Sequence, residues 1–456
     1  MSTPRRLVSF VFLGIVAAFS FLSPAGAIVH GAPPNGSRGL PAEGIVLNLD
    51  PSGGVDLPTS VGLMNPVRNV IAGDIVHYSF QVQIGPGPYD RIGLHRVVKE
   101  RTPFEPIRTR DGLFIIPGGW YRFDKLFLAS LDDPNIPDTH AFPVFLAQNN
   151  YDVWGIDLAW SLVPAGLDDY SFMSSWGMEK DARDTRIGLA VARATRAVTG
   201  SGSGPLNLLG YSIGYMVGFV AVEQETRIPS ALRQIKGYVP VDGYFDCEAC
   251  SEYACALLAY EMDQMNAGVH VDASGELLSA LGALAATAPG EESPILPGLT
   301  NLQAALLFTT QTWQVGPENP HYHLFAPVVD ETGFPTDTQY TTVGYVFNFL
   351  QNASYSLPLR EYADWNEVLC AQTDSPLDDH LGDITVPIFY VASAGGTGSY
   401  GLPTLSLLGS NDVKYYIAQL WPAGQETMDF GHVDLWLATN APDVAWRPIL
   451  QWLKKH

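Results

Sequence analysis

Short apolar runs alternate with longer amphipathic stretches along two separate parts of the chain, a rhythm that predicts parallel strands joined by helices. Gly112–Ile116, Asn150–Asp157, Pro205–Leu209 and Ile235–Val241 read as buried strands. Met178–Val198 carries Ile187, Val191, Ala194 and Val198 on one helical face, with charges opposite. Tyr215–Glu225 is apolar, free of proline and long enough for the next helix. Ahead of this region, Asp74–Val82 and Tyr89–Val98 flank a Gly-Pro-Gly-Pro turn and predict an antiparallel hairpin.

Residues 28–70 are rich in Gly, Pro and Asn and read as an irregular leader with one short strand at Gly44–Leu47. Residues 243–380 break the rhythm. They hold apolar helical segments at Ala254–Met265, Glu276–Thr287 and Leu299–Thr312, separated by Pro/Gly loops, and predict a helical cap inserted over the strand ends. Alternation resumes at Ile384–Val391, and Val413–Leu420 reads as the final strand. Phe430-Gly431-His432 and a closing helix with Trp446, Ile449, Leu450 and Leu453 follow. The expected organisation is an α/β core over 28–242 and 381–456, with a mostly parallel sheet covered by helices on both faces. The cap spans 243–380. No internal repeat or low-complexity tract interrupts it.

With 456 residues, 46% of them hydrophobic, the chain can bury a large core. Its first 27 residues stand apart: Arg5 and Arg6 precede an apolar stretch from Leu7 to Leu22, closed by Ala25-Gly26-Ala27. That is the layout of a secretory signal peptide cut after Ala27, and it implies a soluble, secreted or periplasmic protein. No other stretch is long enough to span a bilayer. The net charge of −22 makes a surface that repels nucleic acid and anionic membranes at ordinary salt, so no nucleic-acid partner is expected. In an oxidising compartment the four cysteines, Cys247, Cys250, Cys255 and Cys370, are expected to form two disulfides. Three pairings are open, with one bridge expected to tie Cys370 back to the cluster. A zinc site would need a second C-x-x-C half, which is missing.

Between the strand at Pro205–Leu209 and the helix at Tyr215–Glu225 stands Gly210-Tyr211-Ser212-Ile213-Gly214. Roughly 0.3 such G-x-S-x-G matches arise by chance in a chain of this composition, so the flanking pattern carries the inference. A strand, this turn and a helix make a nucleophile elbow, which lifts a serine above a parallel sheet. Serine attacks only when a base takes its proton. His432, after the last strand and before the closing helix, is the candidate base, while His321 and His323 lie in a loop without metal-binding partners.

Together with the Pro-Gly-Gly turn at 117–119, Tyr-Asp-Val-Trp-Gly-Ile-Asp at 151–157 and Gly-His-Val-Asp-Leu-Trp at 431–436, the elbow makes the chain resemble the α/β-hydrolases. Two of these stretches are similar to the acid-lipase branch. The resemblance implies Ser212 as nucleophile, His432 as base and the backbone N–H of Ile213 as one oxyanion donor. The second donor is Gly119, with Trp120 as the alternative. It also implies an acid in the loop after the strand at Ile384–Val391, but Ala392–Gly398 holds no carboxylate. Asp242 is the preferred substitute because catalytic groups gather at the carboxyl ends of parallel strands. Asp412 is the alternative, and Asp434 is too close in sequence to His432 to orient its ring.

Serine at the elbow excludes the dehalogenases and epoxide hydrolases of this fold, which use aspartate there. The implied function is hydrolysis of a small or lipid-like carboxylic ester through an acyl-enzyme, with no metal or organic cofactor. An amidase or peptidase with the same triad is a second reading, and a non-catalytic binding protein on a hydrolase scaffold is a third.

Overall fold

The computed structural model describes residues 63–103, 105–247, 250–312 and 320–456. The signal peptide expected over residues 1–27 and the strand expected at Gly44–Leu47 lie outside the described residues. Nine strands form one sheet: β1 Leu63–Ala72, β2 Ile75–Gln83, β3 Arg91–Lys99, β4 Asp111–Ile116, β5 Tyr151–Asp157, β6 Leu206–Tyr211, β7 Ile235–Val241, β8 Ile388–Ser393 and β9 Val413–Ala418. Their order is β1-β2-β3-β5-β4-β6-β7-β8-β9. Every pair from β5 to β9 is parallel, whereas β1, β2 and β3 pair antiparallel and β3 meets β5 antiparallel.

The parallel part arises because its inner strands are apolar on both faces. On β4, Leu113 and Ile115 enter one hydrophobic cluster while Phe114 and Ile116 enter the other. Helices α1 (Phe142–Gln148), α2 (Met178–Thr199) and α3 (Ile213–Thr226) cover the sheet, α1 on the first cluster and α2 with α3 on the second. The leader expected over residues 28–70 is partly corrected: β1 begins at Leu63. Its Val67 and Val70 are exposed, so this edge strand lacks the apolar alternation by which strands are recognised.

Between β7 and β8 the chain adds no strand to the large sheet. It forms α4 (Ser251–Asn266), α5 (Ser274–Thr287), α6 (Asn301–Thr310), α7 (Val343–Gln351) and α8 (Leu359–Leu369). Sequence reading anticipates the first three and misses α7 and α8. The inserted segment is not a separate body, because Leu278, Phe325 and Tyr345 share the first cluster with Leu113, Val153 and Val239. Two disulfides, Cys247–Cys250 and Cys255–Cys370, occupy all four cysteines, and the second ties α4 to the end of α8. No Lys or Arg occurs between Lys236 and Arg360, and Arg360 is the one such residue in 243–380, so the insertion is strongly acidic. Among the described residues no helix is long and apolar enough to cross a membrane.

Glu261 of α4 is buried and accepts bonds of 2.9 and 3.0 Å from Nδ2 of Asn366 on α8. Burial, opposed by that bond and reinforced by the charge of Asp272, pushes its carboxyl from the ordinary 4.5 up to about 7. The folded state therefore holds a proton that the unfolded chain releases. The stability this group contributes is complete below pH 4.5 and is lost as pH rises through about 7. Glu261→Gln is expected to raise the melting temperature relative to the parent protein at pH 8 by an amount absent at pH 4.5. The free energy is on the order of 2 kcal/mol. Thermal melts of both proteins at the two pH values check it.

Candidate active site

At the carboxyl end of β6 the chain turns into α3 through Ser212, whose backbone adopts φ +57° and ψ −123°. The glycines on either side have separate reasons to be there. A Cβ on Gly210 would lie 2.0 Å from the carbonyl oxygen of Gly214, and one on Gly214 would lie 2.5 Å from that of Pro117. Strand, turn and helix are thus pressed too closely for any side chain. The amide of Ser212 donates to the carbonyl of Val241 at 3.0 Å, tying the turn to the next strand. Ser212 itself is half-buried.

Two further residues with positive φ stand at neighbouring strand ends: Trp120 (φ +64°) after β4 and Asp242 (φ +50°) after β7. Each such backbone costs about 1–3 kcal/mol and persists only where its surroundings hold it. Their clustering at three adjacent strand ends makes this edge of the sheet the candidate site. The turn after β4 packs onto the elbow: Cβ atoms on Gly118 and Gly119 would meet Cβ of Ser212 at 3.0 Å and Cδ1 of Ile213 at 2.7 Å. As the first residue of α3, Ile213 has an amide with no intrahelical acceptor, at the positive end of the helix dipole.

His432 follows β9 on a loop that the inserted segment holds. Its amide donates to the carbonyl of His323 at 3.0 Å, and that of Val433 donates to Leu324 at 2.9 Å. Its ring stacks on Tyr211 at 4.5 Å between centroids and meets Tyr322 at 5.2 Å. Nδ1 is hydrogen-bonded to Oδ2 of Asp242. Asp412, the alternative acid, is not brought to His432. It precedes β9 at the opposite end of the strands, where it pairs with His456 at 2.9 Å and Lys414 at 3.1 Å. Asp434 accepts from the amides of Ala326 (2.8 Å) and Gly431 (2.9 Å) and from the Thr341 hydroxyl (2.6 Å). Burial raises it to about 6, and its task is to fasten the loop that carries His432.

His323 turns its ring nitrogens to the carbonyls of His321 (2.8 Å) and Asp429 (2.9 Å). Among the described residues, ligand atoms with metal-like spacing occur at His95, Asp124 and Asp157, near β3 and β5. There His95 already bonds Asp157 at 3.0 Å and His77 at 2.9 Å, so its nitrogens are used.

No protein-family model and no curated protein matches the chain. Among solved structures, a provisionally assigned lipase from Sulfolobus solfataricus superposes with a TM-score of 0.57 at 18% identity, over 87% of this chain and 99% of its own. The chain has the α/β-hydrolase fold. More distant likenesses are to a thermophilic esterase from Thermogutta terrifontis (TM-score 0.41, 12% identity, 83% of this chain and 98% of that one) and a soluble variant of monoglyceride lipase from Saccharomyces cerevisiae (0.39, 13%, 87% and 96%).

Within this α/β-hydrolase fold, several residues around the site escape sequence reasoning. Tyr322 comes from a loop with no periodic signal. Ser393 closes β8 and Thr397 sits in the Ala-Gly-rich run after it, where small polar residues look like ordinary turn formers. Trp120 is visible as part of a turn. Its contacts, an indole bond of 3.3 Å to Asp272 and a carbonyl that accepts from the amide of Ser354, come from the insertion and require the fold.

Proposed function

We propose that the protein is an exported serine hydrolase that cleaves carboxylic esters with a hydrophobic acyl or alcohol group. The observation that carries this reading is the His432–Asp242 hydrogen bond beside the strained turn of Ser212. With Nδ1–H directed at a carboxylate, Nε2 of His432 is left as the basic nitrogen. It takes the proton of the Ser212 hydroxyl as Oγ bonds to the ester carbonyl carbon. The oxyanion is received by the amides of Ile213 and Gly119, with that of Trp120 as the alternative second donor; such donors contribute about 3–4 kcal/mol each. The imidazolium then gives its proton to the leaving alkoxide. Water, deprotonated by the same nitrogen, adds to the acyl carbon; the acyl–Oγ bond breaks, the imidazolium returns the proton to Oγ of Ser212, and the carboxylic acid leaves.

The acidic insertion bears on substrate choice. A field of one sign favours neutral esters over anionic ones and hastens loss of a carboxylate product. The test is a panel of p-nitrophenyl esters with matched anilides. Neutral acyl esters are expected to turn over with a burst of one nitrophenolate per protein. A matched ester with an anionic acyl group should have a kcat/KM about tenfold lower at low salt and approach the neutral one in molar salt. Preferential turnover of the anilides would favour the amidase reading instead.

A further inference from the structure

The loop after β8 lacks the carboxylate that the resemblance leads one to expect there, yet it surrounds one. Asp242 is 1% exposed, and its two oxygens have different surroundings. Oδ1 accepts from the amide of Ser393 at 3.0 Å, the amide of Thr397 at 3.1 Å and the Thr397 hydroxyl at 2.9 Å. Oδ2 accepts from the Ser393 hydroxyl at 3.2 Å and from Nδ1 of His432. A Cβ on Gly396 would lie 2.1 Å from Oδ2, so this position is glycine to leave room for a carboxylate delivered from the neighbouring strand.

We infer that Ser393 and Thr397 are positioning residues for Asp242, and that the loop after β8 serves as the receptor of the triad acid. The inference rests on the reading above, in which Asp242 orients His432. A carboxylate bonded to the imidazole alone could swivel about its side-chain torsions. Saturating Oδ1 with three donors fixes the carboxylate plane and leaves Oδ2 turned to the ring. The same donors supply the solvation that a buried carboxylate loses. They also hold the unfavourable backbone of Asp242, since a residue with positive φ needs its side chain anchored. Tyr390 braces the loop from below through a bond of 2.7 Å to the carbonyl of Gly398.

The experiment compares Thr397→Val, Ser393→Ala, the double variant and Thr397→Ser with the parent protein, scoring kcat and KM separately on one neutral ester. Each single loss of a hydroxyl is expected to lower kcat roughly tenfold, and the double variant more, with KM within twofold. Thr397→Ser, which keeps the donor, should recover most of kcat. A merely structural role would lower the melting temperature and leave kcat per folded molecule unchanged. If the double variant keeps kcat within twofold while Asp242→Asn is disabled, the positioning role is wrong and the triad reading stands. If Asp242→Asn is itself fully active, the triad reading fails and the inference with it.

Discussion

Asp242→Asn is expected to lower kcat/KM toward a neutral ester about a thousand- to ten-thousand-fold, whereas Asp412→Asn leaves it within twofold. The asymmetry follows from where the two carboxylates stand. Asp242 is buried against Nδ1 of His432, and in the proposed mechanism its charge stabilises the imidazolium that forms during attack. Asparagine is nearly isosteric but neutral. Its amide nitrogen would clash with the three donors aimed at Oδ1, so the pocket turns that nitrogen toward His432. The ring would then carry its proton on the wrong nitrogen, and Ser212 would lose its base. Asp412 lies at the amino-terminal end of β9 with His456 and Lys414, away from this chemistry. Steady-state kinetics of both variants, with thermal melts to confirm folding, check the prediction.

Much of this arrangement can be read from the residues, and the parts that cannot have physical reasons. The parallel strands announce themselves because β4, β6 and β7 are apolar on both faces. The elbow is legible because Gly210 and Gly214 are imposed by close backbone approach, which leaves a mark in sequence. Asp242 could be preferred over Asp412 from strand polarity alone. The carboxyl-terminal end of β7 lies beside that of β6, while the residue before β9 lies at the other end.

The edge strand β1 is not legible, since an exposed strand needs no apolar alternation. Helices α7 and α8 pass unnoticed behind their Pro- and Asn-containing flanks. Nor can the cradle of Ser393 and Thr397 be foreseen. It depends on five hydrogen bonds, counting that of His432, converging on one carboxylate from segments about 150 and 190 residues away in sequence. The insertion also does what its sequence does not announce: its residues His323 and Leu324 hold the backbone of the His432 loop, and Tyr322 covers the ring.

The second large effect concerns Ser212. Ser212→Ala removes the hydroxyl that, in the proposed mechanism, bonds to the acyl group, while the Ala methyl fits the space that Cβ already occupies. Folding should therefore be unaffected, apart from the strain of a non-glycine residue at φ +57°, which the parent protein also bears. Ester turnover is expected to fall roughly a million-fold, to below detection. The amides around the elbow are left in place, so substrate binding and the residual effect of oxyanion donors persist. The phenotype is loss of kcat rather than of affinity.

The most direct measurement is covalent: incubate the purified protein with a fluorophosphonate, determine the intact mass and map the modified peptide. One adduct per molecule is expected, located on Ser212 and absent from Ser212→Ala. Folded protein that acquires no adduct, or an adduct that survives in Ser212→Ala, would contradict Ser212 as the nucleophile.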